Sequence, residues 1–293
     1  MASAQQISRS VIKKVLAVET PEGVGAMVRR TIGTPALRNL SPVQQGGFPD
    51  HPHRGQTTVT YMLEGASLHE DSAGHKGRLG PGDIQWMTAF WIFQQPVVHA
   101  EMPVKEPGLP YPQGMQLWID LPKEHKLVEP SYQELSHRDI PSAYPQGEDG
   151  PVIKIISGKS HGVESPVRPL GDVEKEQQSI FQDIPQGWTA FIYTYTGKLL
   201  VNSTNKTGES AHDQFHTLVL SSGSDENGVR LTAAEENTRA FLIAGEPLDQ
   251  PVVQHGPFVM TSQSEIYQAI NDYRTGRNGF EKAHSWKSEI GGL

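Results

Sequence analysis

Two short motifs in this 293-residue sequence place potential metal ligands two residues apart. His51 and His53 directly precede an alternating apolar run, residues 57–63, which is typical of a half-buried strand. His99 and Glu101 repeat the same spacing further along the chain. Because residues i and i+2 of a strand point to the same face, each pair can direct both side chains at one point. The sequence therefore predicts a metal site formed by His51, His53, His99 and Glu101.

The ligand types narrow the choice of metal. Three neutral imidazole nitrogens and one carboxylate suit Fe(II), Mn(II), Ni(II), Cu(II) or Zn(II), whereas Ca²⁺ and Mg²⁺ prefer oxygen ligands. Four protein ligands leave open positions on a six-coordinate metal, as an oxygen-activating or substrate-binding site requires. An isolated histidine pair on a strand is more often an ordinary surface feature, but two such pairs together favour a metal. We expect His69 and His75 to be supporting or surface residues, and His212 and His216 to lie in a surface loop.

Composition sets limits on the function. The net charge of −8, from 33 acidic and 25 basic residues, argues against a broad nucleic-acid surface. The absence of cysteine excludes disulfides, thiolate nucleophiles and Cys-type zinc sites, and it fits an intracellular protein. We find neither a signal peptide in residues 1–18 nor a stretch that approaches a membrane span, so we expect a soluble protein. Glycine-rich nucleotide motifs and hydrolase motifs are lacking, which leaves those classes without support.

The pattern along the chain predicts many short strands, as 29 glycines and 22 prolines also indicate. We expect strands at residues 84–89, after the turn Pro81-Gly82-Asp83, and at 113–121, a loop at 34–47 and an interdomain linker at 123–151. Five further strands are predicted at residues 188–195, 198–202, 217–220, 229–232 and 239–244. The C-terminal stripe of Ile266, Ala269, Ile270 and Tyr273 predicts one helix, which begins after Ser262 or Ser264 and ends at Gly276.

Longer strings around these motifs resemble one protein family. The order of His51-x-His53, Pro81-Gly82-Asp83 and His99-x-Glu101 is similar to that of the cupin metal motifs. The longer strings resemble the pirin family in particular, including its plant members. They are GFPDHPHRG at 47–55, PGDIQWMTA at 81–89, HAEMP at 99–103, IAGEPL at 243–248, QHGPFVM at 254–260 and NGFEKA at 278–283. These blocks run through nearly the whole chain.

The resemblance implies an all-β fold of two cupin (double-stranded β-helix, jelly-roll) barrels that lie face to face, with a short C-terminal helix. Residues 1–136 would form the metal-binding N-terminal cupin domain and residues 137–293 a metal-free C-terminal one. The matching ligands are His51, His53, His99 and Glu101. The implied metal is iron, as Fe(II) or Fe(III), with other divalent transition metals as alternatives.

The family also suggests a cellular role. Pirins are nuclear proteins linked to transcriptional regulation, some oxidise the flavonol quercetin with O₂, and plant members are linked to G-protein signalling. The resemblance thus implies a monomer in the nucleus, and also in the cytoplasm. Its partners would be transcription factors or a G-protein subunit, with a flavonol as a small-molecule ligand and without direct contact to nucleic acid or membrane.

The sequence departs from the family pattern in three places. A strand expected before Gly46 is reduced to residues 41–45, and residues 168–185 lack the strand that usually opens the second barrel. The glycine-rich turn expected before His99 is replaced by residues 90–96, which include Phe90 and Trp91. Bulky side chains there could fill the pocket mouth or displace His99 and Glu101.

Three functions remain in view. The first is an iron-binding nuclear regulator whose metal sets the conformation of a partner-binding surface. The alternative is a quercetin dioxygenase, in which Glu101 could accept the proton of the flavonol hydroxyl. Residues 90–96 would hinder entry of a polycyclic flavonol, which favours regulation. A third interpretation is a degenerate paralogue, or an imperfect gene model, with an impaired metal site.

Overall fold

The structure is a computed structural model. It describes residues 5–22, 24, 26–30, 32–34, 37–44, 47–89, 98–126, 131–167, 180–202 and 211–291. The strands in chain order are β1 (Val11–Leu16), β2 (Val18–Glu22), β3 (Ala26–Arg30), β4 (Ile32–Thr34), β5 (Leu37–Gln44), β6 (Phe48–Pro52), β7 (Gln56–Glu64), β8 (Ser67–Asp71), β9 (Lys76–Leu79), β10 (Ile84–Ala89), β11 (Val98–Pro103), β12 (Gln113–Asp120), β13 (Ser131–Leu135), β14 (Ser142–Ala143), β15 (Ile153–Lys154), β16 (Lys159–Ser160), β17 (Val163–Glu164), β18 (Ile180–Asp183), β19 (Thr189–Thr196), β20 (Lys198–Val201), β21 (His212–Asp213), β22 (His216–Leu220), β23 (Gly228–Ala233), β24 (Arg239–Gly245), β25 (Val253–His255) and β26 (Phe258–Met260).

One α-helix, α1 (Gln263–Thr275), and a short 3₁₀ helix, Lys123–His125, complete the described elements. The side chain of Ser262 accepts a hydrogen bond from the backbone N–H of Glu265 and so caps α1. Gly276 ends it in the left-handed conformation at φ 60°. Both ends of α1 are therefore as predicted. At 13 residues, α1 is too short to cross a bilayer, and neither described helix qualifies as a membrane span.

The chain forms two compact units, and each is built from two separate stretches of the sequence. The first unit combines Met1–Ala17 with Arg138–Pro247, and the second combines Val18–His137 with Leu248–Leu293. The predicted division into 1–136 and 137–293 has the same midpoint but differs at both termini. The reason is non-local pairing: β1 adds to the edge of a sheet through β22, and the C-terminal helix α1 packs against β25 and β26 of the second unit. Composition along the chain does not predict which distant stretches pack together.

The second unit contains two main sheets. The larger has the order β13-β10-β7-β12-β5-β3-β2, with β4 paired to β5, and the smaller has the order β6-β11-β8-β9. The predicted loop at 34–47 is wrong, because β5 pairs with β12 on one side and β3 on the other. Residues 41–44, which remain of the strand expected there, are therefore part of a paired strand. Part of the predicted linker is also a strand, since β13 forms the edge of the larger sheet beside β10.

The first unit contains the orders β1-β22-β19-β24 and β18-β23-β20-β21. The five strands predicted for this half appear as β19, β20, β22, β23 and β24. The segment 168–185 was expected to lack a strand, but β18 pairs with β23; residues 168–179 lie outside the described residues. The buried core comprises Ala143, Ile153, Ile155, Ile180, Ile184, Ala190, Ile192, Leu199, Leu218, Leu220, Val229, Leu231, Ala240 and Leu242. The all-β class with two cupin domains and one helix is confirmed.

Candidate metal centre

Two adjacent strands and one turn bring three histidines together. His51 on β6 lies directly opposite His99 on β11 in the antiparallel ladder, and His53 follows β6 by one residue. The Nε2 atom of His51 is 3.1 Å from Nε2 of His53 and 2.9 Å from Nε2 of His99. Their ligand atoms all lie within 4.8 Å of one another. Three of the four predicted ligands thus converge on one point.

The nitrogen spacing fits a metal ion. With a metal–nitrogen bond of about 2.1 Å, two ligands at a right angle are separated by about 3.0 Å, and tetrahedral ligands by about 3.4 Å. The two separations, 2.9 and 3.1 Å, are close to the first of these values. The group could therefore hold a metal ion. His51, His53 and His99 would hold such an ion and would leave room on it for further ligands.

The protonation state of the cluster suits metal binding. His53 and His99 are buried, with 1% and 0% of their surface exposed. Burial, reinforced by the neighbouring His51, lowers the pKa of both residues well below the usual 6.5. Both imidazoles are therefore neutral near pH 7, and only the neutral ring offers a lone pair to a metal.

Hydrogen bonds orient two of the three rings. The Nδ1–H group of His51 donates to the carbonyl oxygen of Pro49 over 2.8 Å, which leaves its Nε2 lone pair in the site. Nδ1 of His53 is 2.7 Å from the amide nitrogen Nε2 of Gln56. The amide oxygen Oε1 of Gln56 is buried and has no hydrogen-bond partner in the described part of the chain. A half-turn of this amide lets the oxygen accept from Nδ1–H, and Nε2 of His53 is then also free for the metal.

The predicted fourth ligand, Glu101, lies outside the three-histidine group. Both of its carboxylate oxygens are 3.0 Å from Nε2 of Gln116, and one is 3.4 Å from the Thr60 hydroxyl. The oxygen of Gln116 in turn accepts from the indole N–H of Trp118 over 2.7 Å. A register shift between His99 and Glu101 interrupts the pairing of β11 with β6. Coordination by Glu101 stays a prediction.

A pocket of about 480 Å³ opens beside the cluster. Its walls combine aromatic, amide and charged side chains with residues from the stretch 254–257. The lining residues are Glu22, Val28, Arg30, Phe48, His51, His53, Glu101, Gln116, Trp118, Gln254, Gly256 and Pro257. Residues 90–96, which were expected to obstruct this pocket, lie outside the described residues.

Sequence reasoning missed several of these residues. Residues 113–121 were predicted as a strand without a site residue, yet Gln116 and Trp118 line the pocket. Trp118 shares one face of the strand with the polar residues Gln116 and Asp120. This was the available signal, because a large aromatic ring is seldom left in water. Gln254, Gly256 and Pro257 belong to the string QHGPFVM, but their position at this pocket could not be predicted, since residues 248–293 pack with residues 18–137.

Four further histidines lie outside the three-histidine group. His69 is buried, with Nε2 2.7 Å from a carboxylate oxygen of Glu134. His75 is half-exposed and its Nδ1 is 2.8 Å from Asp71. These positions agree with the supporting and surface roles expected of them. His212 and His216 lie on the strands β21 and β22 of the first unit, and not in the loop that was predicted.

The low pKa values of His53 and His99 predict that the metal-free protein loses stability in acid. Below pH 6.5 the unfolded chain binds protons on these histidines that the folded chain does not, so unfolding becomes easier as the pH falls. Each histidine contributes a slope of up to about 1.4 kcal/mol per pH unit in that range and none above it. Urea unfolding between pH 8 and pH 5 measures this slope. Replacement of His53 by glutamine should reduce it, and an unchanged slope would contradict the assignment.

Comparison with known proteins supports the fold and shows the family. Residues 31–119 match the pirin family, and residues 172–279 match the pirin C-terminal cupin domain. The chain is 44% identical to pirin of Mus musculus over 308 residues, which covers 99% of this chain and all of the relative. It is 45% identical to a pirin-like protein of Solanum lycopersicum over 305 residues, with 99% of both chains covered. Among solved structures it resembles a quercetin 2,3-dioxygenase from Acinetobacter baumannii, with a TM-score of 0.76, 27% identity and coverage of 92% of this chain and 98% of that one.

Proposed function

The chain belongs to the pirin family of two-domain cupins, and from this premise we propose that it is a metal-dependent oxygenase of flavonol-like aromatic compounds. His51, His53 and His99 would hold the metal, with Glu101 as the fourth ligand. Iron is our first candidate for this metal. The observation that carries the proposal is the convergence of three Nε2 atoms, 2.9 and 3.1 Å apart, beside a pocket of about 480 Å³. The solved quercetin 2,3-dioxygenase with the same fold supports it.

The pocket residues suit a flat, hydroxylated ring system. A bound iron ion would supply the one-electron chemistry that lets O₂ react with an organic substrate. Phe48 and Trp118 offer apolar surface for an aromatic ring. Glu101 is the candidate acceptor of a hydroxyl proton, and the amide of Gln116 holds its carboxylate within the pocket.

Metal content and oxygen consumption test this proposal together. We expect near-stoichiometric metal in the purified wild type, and uptake of O₂ on addition of quercetin. The double variant His51→Ala, Glu101→Ala should lose both, because it removes a clustered nitrogen and the candidate proton acceptor. His212→Ala, in the first unit, is the matched control and should retain both. A folded wild-type protein without metal would exclude the oxygenase proposal. Bound metal without uptake of O₂ would also exclude it, but would retain the proposal of a metal-binding protein.

A regulatory role is the second candidate. It is supported by the family resemblance and by the expected hindrance of flavonol entry by residues 90–96, which lie outside the described residues. We place the oxygenase first because the three-histidine group lies beside a pocket of about 480 Å³. Location in the nucleus or cytoplasm, a monomeric state, and transcription-factor or G-protein partners stay predictions from the family. If regulation is the function, metal-loaded protein should retain a partner from nuclear extract that metal-stripped protein and His51→Ala release. Equal recovery with all three would exclude metal-dependent regulation.

The structure weakens one argument for the third interpretation, a degenerate paralogue. That argument rested on missing strands, but β5 and β18 are formed and paired. The relatives are also matched over nearly their full length.

A further inference from the structure

The two neighbouring ligands His51 and His53 lie between two residues that are anchored to the end of the chain. Asp50 immediately precedes the first ligand and Arg54 immediately follows the second. Both hydrogen-bond to residues 262–291, here called the C-terminal segment, which belongs to the same compact unit. This segment includes α1 and contributes none of the four predicted ligands.

The anchor at Arg54 is a buried ion pair. Its Nη1 donates to a carboxylate oxygen of Asp272 over 2.8 Å, and Nη2 donates to the carbonyl oxygen of Asn278 over 2.9 Å. The guanidinium also lies 4.6 Å from the ring centroid of Phe280. Only 3% of the Arg54 side chain and 2% of the Asp272 side chain are exposed. The second oxygen of Asp272 accepts from Gln268 and Asn278, so the pair has one well-defined geometry.

Backbone contacts fix the chain on the same side of His53. The carbonyl oxygen of Arg54 accepts from the N–H of Val259 over 3.0 Å. The ammonium group of Lys126 donates to the carbonyl oxygens of Gly55 and Val259 at 2.9 and 3.0 Å. Movement of α1 and of its preceding strand β26 would therefore move the backbone that carries His53.

The anchor at Asp50 is formed by the last described residues. The hydroxyl and the backbone N–H of Ser288 both donate to the carboxylate of Asp50. The Ser288 hydroxyl also accepts from the N–H of Gly291 over 2.8 Å. A Cβ atom on Gly291 would lie 2.9 Å from the Asp50 carboxylate, so the chain passes close to Asp50.

We infer that the C-terminal segment is a positioning element for the metal centre. By holding Asp50 and Arg54, it sets the separation of the His51 and His53 nitrogens, and Arg54, Asp272 and Ser288 are positioning residues. This inference rests on the proposed metal centre. Because coupling between two sites is reciprocal, metal binding must also tighten the attachment of the C-terminal segment.

The test measures metal binding by full-length variants at a temperature where all are folded. Arg54→Lys keeps the charge but loses the two-pronged contact, and Ser288→Ala removes one hydroxyl from a partly exposed site. We expect Arg54→Lys to weaken Co(II) affinity about tenfold, as happens when groups that support ligands are altered, and Ser288→Ala about threefold. The visible spectrum of bound Co(II) should shift in both, because it reports the ligand geometry.

Matched controls separate positioning from general stability. Arg78→Lys changes an exposed pair with Glu106, and Ser285→Ala removes a hydroxyl that donates to the Lys282 carbonyl oxygen; neither should alter affinity or spectrum. Hydrogen exchange in residues 262–291 should also slow when Co(II) binds the wild type. If Arg54→Lys and Ser288→Ala bind Co(II) with wild-type affinity and spectrum, the inference is overturned while the metal centre stands. A wild-type protein that binds no Co(II) would contradict both the metal centre and the positioning role.

Discussion

His99→Ala is expected to abolish metal binding. His99 is fully buried, and its Nε2 is 2.9 Å from Nε2 of His51, so removal of the ring deletes one ligand and leaves a cavity. We expect metal affinity to fall by more than about 100-fold, beyond the range seen when only supporting residues are changed. Oxygen uptake with quercetin should fall with it.

Elemental analysis and isothermal titration with Ni(II) and Fe(II) measure this effect. His75→Ala is a control in the same unit, because its half-exposed ring pairs with Asp71 outside the cluster. A folded His99→Ala variant that retains stoichiometric metal would show that the three-histidine cluster is not the binding site. The substitution should also change how stability depends on pH. Because the pKa of buried His99 is lowered, its loss should make the metal-free protein less sensitive to acid.

Gly55→Ala is expected to have the largest effect on stability. Gly55 has φ +84°, and a Cβ atom there would lie 2.0 Å from the carbonyl oxygen of Val259. Since a backbone atom cannot move aside as a flexible side chain can, the turn after Arg54 must shift. We expect a loss of about 3 kcal/mol or more in the free energy of unfolding, through backbone strain and steric clash. Metal binding should weaken as well, because this turn carries His53.

Gly108→Ala provides the matched control. Gly108 has the same φ of +84°, but a Cβ atom there would meet nothing within 4 Å. Its substitution introduces only the strain of a left-handed residue, about 1 kcal/mol, and leaves the metal site intact. Urea unfolding of both variants without metal gives the comparison. Equal destabilisation would mean that the Val259 contact has no role beyond the backbone conformation.

The sequence alone was enough to predict the features that depend on neighbouring residues. The i, i+2 spacing of His51 and His53 predicts that their side chains point the same way along an extended backbone, and the structure brings them together although β6 ends at Pro52. The turn at Pro81-Gly82-Asp83 and the ends of α1 follow from the conformations that proline, glycine and serine prefer. The long strings around these motifs were enough to indicate the family.

Only the tertiary structure decided which distant segments complete the site. Pro35 and Pro42 predicted a loop, but pairing with β3 and β12 makes residues 37–44 a strand, because interstrand hydrogen bonds outweigh local preference. The pairing of Glu101 with Gln116 and the attachment of Arg54 to Asp272 likewise join residues far apart in sequence. Such contacts depend on how strands and chain ends pack, and spacing along the sequence does not encode this. The three clustered histidines could therefore be predicted from the sequence, whereas the contacts of the C-terminal segment with Asp50 and Arg54 could not.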